Sequence, residues 1–541
     1  MNTQSIQNGR LHRISLKILI VVILITGIWF RFTNLDRKVY SFDESITSLR
    51  ISGYTWTEMV QQDFQGKTIS VADLQRKYQQ INSEKTWLDT VKGLAAEEPQ
   101  LSPLYFILAR FWVQLFCPQV ASVRSLSAWI SLLVFPSIYW LCWELFRCAS
   151  AGWVAVTIVA VSPFHVLYAQ EARPYMMFAV LVLLSNAILL RAIAIQNSPT
   201  TSKLSKAVWS IYAIALTLGL YSSLLFFLVV FAHGIYLIIT ENWRFSKTLI
   251  AYLLASAAAI IIFAPWIWIL LYNSEKIEAT VGLPRLSLSL MSSLKPLIII
   301  TCRMFIDTHW AGGIIKLGAS GLATDLIRLI VVAVLLLAIA HSINSLCRST
   351  PKRFWLFVLT AIGITAIVLI AVRGVADRYM VPYILGIQLA VAYLFTAKIT
   401  IATNPRQNKL WQLGLIALIS SGIVSCTVSS QSQLWWNKYP SSTKYNPQIA
   451  AIVNQAKKPL VITHGGNNIT GKILSVSYLL KPQVQLLLAV KPEQVKIPDG
   501  FSDVFLYRAT EALQFELEKV QKYKITPIYQ PGDVWLWRVE K

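Results

Sequence analysis

Apolar residues in this chain gather in blocks of roughly 18 to 25, each long enough as a helix to cross a hydrocarbon core of about 30 Å. Block length of this kind, without an amphipathic stripe, predicts a polytopic helical membrane protein. The charge content agrees: 14% of the 541 residues are charged and 55% are hydrophobic, where a soluble chain carries roughly 25% charge. A wholly soluble fold is excluded. Spans are expected over residues 18–30, 121–146, 152–167, 175–195, 207–220, 222–240, 248–272, 323–342, 354–372, 379–397 and 410–428.

Charge distribution then predicts topology. The 49 Lys and Arg exceed the 26 Asp and Glu, a formal net charge of +23. Much of that excess lies in short loops between apolar blocks, as the positive-inside rule predicts, so it reports orientation and no nucleic-acid partner is expected. The ambiguous segment is 101–116, which is short, opens with Ser102-Pro103 and carries Arg110 in its middle. If it crossed the membrane, the basic loops holding Arg147, Lys203, Lys206, Arg244, Lys247, Arg348, Lys352, Arg353, Lys398, Arg406 and Lys409 would all move outside. Parity therefore makes it a juxtamembrane helix and leaves about eleven spans, a cytoplasmic N-terminus and an outer C-terminus. Arg10, Arg13 and Lys17 precede the first apolar run and no small-residue cleavage site follows it, so that run is expected to remain as the first span.

Composition divides the chain into 1–32 (N-terminus and first span), 33–120 (a first outer loop with juxtamembrane helices), 121–428 (the multi-span domain) and 429–541 (an outer-face domain). In the last, short apolar runs at 459–463, 484–489, 504–507, 525–529 and 534–539 alternate with turns around a helix-like 510–523, which predicts a small α/β domain. Gly465-Gly466 reads as an ordinary glycine turn after a strand, because the dinucleotide fingerprint is incomplete. The six cysteines form no CxxC pair and read as packing residues. The six histidines are scattered without ligand spacing.

Ionisable groups held at span ends on one face are the candidates for chemistry. Asp43-Glu44 lies shortly after the first span, and Glu171 sits in the tight connection 168–174. Arg124, Arg173 and Arg378-Tyr379 begin spans on the expected outer side, where positive-inside disfavours cations. A cationic pocket for a phosphate accounts for that placement.

Asp43-Glu44, the SPLYF start at Ser102–Phe106, Arg124, YAQEARPY at Tyr168–Tyr175, Ala264-Pro265-Trp266 and DRYMVP at Asp377–Pro382 occur in this order. In that order and topology, over roughly 14–397, the chain resembles the glycosyltransferase C superfamily, in its protein-mannosyltransferase and aminoarabinose-transferase-like branch. It departs from the branch in having Ser102-Pro103 where Pro-Pro or Lys-Pro is frequent, and in lacking an arginine soon after Asp43-Glu44.

The resemblance implies an inverting membrane glycosyltransferase that moves a sugar from a polyprenyl-phosphate donor to an acceptor hydroxyl on protein, lipid or glycan. The reaction is placed at the outer face of a bacterial plasma (inner) membrane, with the C-terminal domain periplasmic. It also implies Asp43 as base, with Glu44 and Glu171 as further catalytic carboxylates, and Arg124, Arg173, Arg378 and Tyr379 around the donor phosphate. No cofactor is assigned; metal dependence stays open, Asp43 and Glu171 being oxygen ligands of the kind a hard divalent ion takes. The alternative is a transporter or flippase of lipid-linked glycans, which predicts ionisable residues within span interiors and two related halves. The span interiors are largely free of charge, apart from Glu144 near one end and the interfacial Arg110, and no internal repeat is visible.

Overall fold

The computed structural model describes residues 3–198, 202–281, 291–307, 322–372, 374–401, 404–435, 443–530 and 536–540. Of the segments between expected spans, 273–321 and 373–378 lie partly outside the described residues. The chain forms two compact units: Met1–Thr33, Pro99–Leu104 and Ser127–Gln431 make the first, and Asn34–Glu98, Tyr105–Leu126 and Ser432–Lys541 the second.

The first unit is helical. Among the described residues, eight helices of the chain are long and apolar enough to cross a membrane, and a bent pair supplies a ninth. The expected span at 222–240 is a 15-residue apolar helix, Phe226–Thr240, and that at 18–30 lies within helix Thr3–Phe32. The bent pair, Ala149–Ala160 and Pro163–Ala169, turns by 61°. Pro163 has no N–H to continue the ladder, so the preceding turn loses its regular bonds. Arg31, fully buried, meets the freed carbonyls, donating to Ala160 O at 2.6 Å and Val159 O at 3.1 Å. Glycines allow the close approach: a β-carbon at residue 27 would stand 2.5 Å from Ala160 O, and one at 422 would stand 2.5 Å from Val161 O.

The second unit is built on six strands: β1 (Gln65–Ser70), β2 (Pro459–His464), β3 (Gln485–Ala489), β4 (Asp503–Tyr507), β5 (Lys524–Tyr529) and β6 (Leu536–Glu540). Their order is β1-β3-β2-β4-β6-β5. β2 runs parallel to β3 and β4, and the other pairs are antiparallel. The C-terminal strands fall where the short apolar runs place them. The expected boundaries differ: 33–120 and 429–541, set apart in the sequence, share this sheet, while Pro99–Leu104 belongs to the first unit and residues 121–126 to the second. Thr68 and Ser70 of β1 pair with Leu487 and Gln485 of β3, and Leu49, Met59, Phe64 and Leu74 share one core with Ile473, Leu474, Leu486 and Phe505.

Segment 101–116 forms the helix Leu104–Leu115, 12 residues long and so about 18 Å, too short to cross a bilayer. Its Arg110 is buried and donates to Ile51 O at 2.5 Å and to Lys85 O, so the charge is met by backbone within the second unit.

Candidate active site

Asp43 occupies the first turn of helix Phe42–Ser52, one of the most thoroughly fixed elements of the second unit. Ser41 and Glu44 close a capping box at its start, with Glu44 Oε2 accepting from Ser41 N at 3.0 Å and Ser41 Oγ accepting from Glu44 N at 3.3 Å. Residues 44–52 are all buried, while Asp43 is half-buried. A carboxylate at a helix N-terminus is favoured as the anion by the free N–H groups and the helix dipole. Asp43 thus sits on a rigid support.

Glu44 and Arg124 have a different use from the expected one. They form a bidentate pair, Nε to Oε1 at 2.7 Å and Nη2 to Oε2 at 2.8 Å, and each is 1% exposed. Arg124 further donates to Leu35 O at 2.6 Å, Lys38 O at 3.0 Å and Val39 O at 3.2 Å. A guanidinium has five N–H donors, and these contacts engage all five. None is left for a donor phosphate, and Glu44 is committed to the pair and to the cap. The two residues are therefore structural: they tie the strand of backbone at 35–39 to the start of the Asp43 helix.

Lys38 lies in the same corner, donating to Ser432 O at 3.0 Å with its ammonium 4.0 Å from the Trp435 ring centre. Burial, then the charges of Arg124 and Arg37, push its pKa down from 10.5 to about 7. Between those values the unfolded chain binds the proton that the folded chain has released, so stability rises with pH across the window and the burden is full below pH 7. Lys38→Met is expected to stabilise the protein at pH 6 by on the order of 2 kcal/mol and by much less at pH 10, as thermal unfolding at the two pH values would read.

In the first unit the break before Pro163 carries the chain into YAQEARPY, every residue of which is buried. Gln170 fastens it to the end of the first helix, donating to Phe30 O at 2.7 Å and Thr33 O at 2.9 Å. Glu171 is 1% exposed, and the Arg173 guanidinium lies 5.9 Å from the Tyr175 ring centre. The Tyr168 ring packs on Tyr175 at 5.0 Å and lies within electrostatic range of Glu171, Asp377 and Arg378. Arg378 and Tyr379 belong to the 3-10 turn Asp377–Tyr379 and stack on each other at 4.9 Å. The structure therefore brings Glu171 and Arg378, expected from separate motifs, near Tyr168, with Tyr379 against Arg378. It adds a cation that sequence reasoning set aside: Arg303, at the end of helix Met291–Arg303, pairs with Asp377 Oδ2 at 3.4 Å. Its sequence signal is a basic residue closing an apolar stretch. Among the described residues no group of three His, Cys, Asp or Glu side chains could hold a metal ion.

Residues 98–269, which include YAQEARPY, match the family model for dolichyl-phosphate-mannose-protein mannosyltransferases. The solved structure of ArnT from Cupriavidus metallidurans bound to undecaprenyl phosphate superposes with a TM-score of 0.50 over 97% of this chain and 98% of that one, at 14% identity. The chain has the glycosyltransferase C fold. The archaeal oligosaccharyltransferase AglB from Archaeoglobus fulgidus, in complex with an inhibitory peptide and a dolichol-phosphate, superposes with a TM-score of 0.51 over 96% of this chain and 74% of that one, at 12% identity. Against the apo form of the oligosaccharyltransferase from the same organism, the chain spans 64% of the other's length and 86% of its own, with a TM-score of 0.48 and 12% identity. Comparison with curated protein sequences finds no match. In the glycosyltransferase C fold seen here, both candidate carboxylates are held on fixed backbone: Asp43 by a capped helix and Glu171 by the loop after a broken one.

Proposed function

We propose that the protein is a membrane glycosyltransferase that takes a sugar from a polyprenyl-phosphate donor and transfers it, with inversion, to an acceptor hydroxyl at the outer face of the membrane. The observation that carries this reading is the gathering of Glu171, Asp377 and Arg378 around Tyr168 at a broken helix. Half-buried Arg378 and Tyr379, beside apolar helices, suit the phosphate head of a lipid whose tail stays in the bilayer. Undecaprenyl phosphate and dolichol-phosphate, found in the two structures of like fold, are both polyprenyl phosphates, which supports this donor class.

The residues receive distinct roles. Asp43 accepts the proton of the acceptor hydroxyl as its oxygen forms the new bond to the anomeric carbon. The bond from that carbon to the phosphate oxygen breaks, and its electron pair leaves with the polyprenyl phosphate. Arg378, with Arg173 and Tyr379, stabilises the charge that develops there. Glu171 orients the acceptor. An acid to protonate the leaving group is not required, because a phosphate departs as an anion.

Binding of undecaprenyl phosphate to the purified full chain tests the donor site. Arg378→Gln is expected to weaken it about 10-fold or more, the effect of removing one charge-assisted hydrogen bond, with thermal stability unchanged. Equal affinity in the two proteins would sink the assignment of Arg378.

A further inference from the structure

We propose that the C-terminal α/β segment takes part in the reaction by positioning Asp43, through Gly471 and Ser475 of helix Asn467–Ser477. This rests on the reading of Asp43 as the base. The helix lies directly against the start of the Asp43 helix. A β-carbon at residue 471 would stand 2.4 Å from Phe42 Cε2 and 2.7 Å from Phe42 Cδ2, so the ring preceding Asp43 packs on bare backbone. Gly471 is inside an 11-residue helix, where glycine costs about 1 kcal/mol relative to alanine. The close approach of Phe42 accounts for its presence.

Hydrogen bonds fix the same junction from both sides of Asp43 in the sequence. Ser475 Oγ donates to Tyr40 O at 2.6 Å and itself accepts from Asn446 Nδ2 at 3.1 Å. Ser45 Oγ donates to Gly471 O at 3.0 Å. The Tyr40 and Tyr478 rings pack at 4.6 Å, and Gln79 joins them, donating to Ser45 O at 3.2 Å and accepting from Tyr478 OH at 3.0 Å. Arg124 holds the carbonyls of Leu35, Lys38 and Val39 and the carboxylate of Glu44. Residues 40–45 are thus clamped between Arg124 and the C-terminal helix, with Asp43 between the two attachments. A base must hold its acceptor proton in near-attack geometry, and a displacement of about 1 Å costs about 100-fold in rate. Gly471 and Ser475 are positioning residues, because they act through the backbone that carries the carboxylate.

The test is release of undecaprenyl phosphate from a panel of undecaprenyl-phosphate-linked hexoses and pentoses by the full chain, with protein, lipid and glycan acceptors. Gly471→Ala is expected to lower kcat about 10- to 100-fold with the donor KM within about two-fold of wild type. Adding Phe42→Ala, which opens room for the new methyl, is expected to recover most of that loss. Ser475→Ala removes the hydrogen bonds to Tyr40 O and from Asn446 Nδ2 and no packing, and is expected to lower kcat about 3- to 10-fold; it carries the test should Gly471→Ala fold poorly. Wild-type kcat in Ser475→Ala and Gly471→Ala, or a Gly471→Ala loss that Phe42→Ala does not relieve, overturns the positioning role. If Asp43→Asn itself retains turnover, the assignment of the base has failed. If Asp43→Asn is inactive while the positioning variants are unaffected, only the positioning role has failed.

Discussion

Asp43→Asn is expected to lower kcat for sugar transfer by about 100- to 10,000-fold, the range for removing a general base. The amide cannot take the hydroxyl proton, while the shape of the side chain is kept. Stability should change little, because Asp43 is half-buried and its charge at the helix N-terminus contributes about 0.3–1 kcal/mol. Binding of undecaprenyl phosphate by this variant should match wild type, since the phosphate is assigned to Arg378 and its neighbours. Loss of binding together with turnover would mean that Asp43 holds substrate, and retained turnover would remove it from the chemistry.

The second large effect concerns stability. Arg124→Met is expected to destabilise the protein by about 3–5 kcal/mol, because it leaves the buried Glu44 carboxylate alone. Three backbone carbonyls, of Leu35, Lys38 and Val39, also lose their donor. In the double variant Glu44→Gln with Arg124→Met the loss should be smaller than the sum of the single losses, because no unpaired charge remains. Thermal unfolding of the four proteins measures the coupling. If Arg124→Met were as stable as wild type and bound undecaprenyl phosphate more weakly, the phosphate-binding expectation for Arg124 would be restored and the structural role lost.

Arg124 shows how far the sequence can be read. A cation beginning a span on the expected outer side is visible as an anomaly, but its partners lie 80 to 89 residues earlier in the chain. Nothing local distinguishes an arginine that meets a phosphate from one whose donors are spent on backbone. The motifs YAQEARPY and DRYMVP were readable as separate signals, and the fold supplied their meeting at Tyr168. Arg303 is not legible in the sequence, because its partner Asp377 lies 74 residues later in the chain.

The fold divides in the same way. Membrane helices are legible because their signal is composition over a long window. The C-terminal strands are legible because each is a short apolar run between turns, as at Leu460–Thr463 and Leu486–Ala489. β1 was invisible. Its six residues, Gln-Gly-Lys-Thr-Ile-Ser, contain one large apolar side chain and lie at the sheet edge, where no alternating pattern is required. Its pairing with β3 joins the first loop to the C-terminal segment. That connection explains why a glycine more than 400 residues away matters to the helix that carries Asp43.

Inverting transfer from a polyprenyl-phosphate donor is tested by incubating the full wild-type chain with undecaprenyl-phosphate-linked sugars and acceptors and determining the anomeric configuration of the product. Release of undecaprenyl phosphate in step with a product of inverted configuration is expected. Absence of turnover across hexose and pentose donors, or a product of retained configuration, would contradict it.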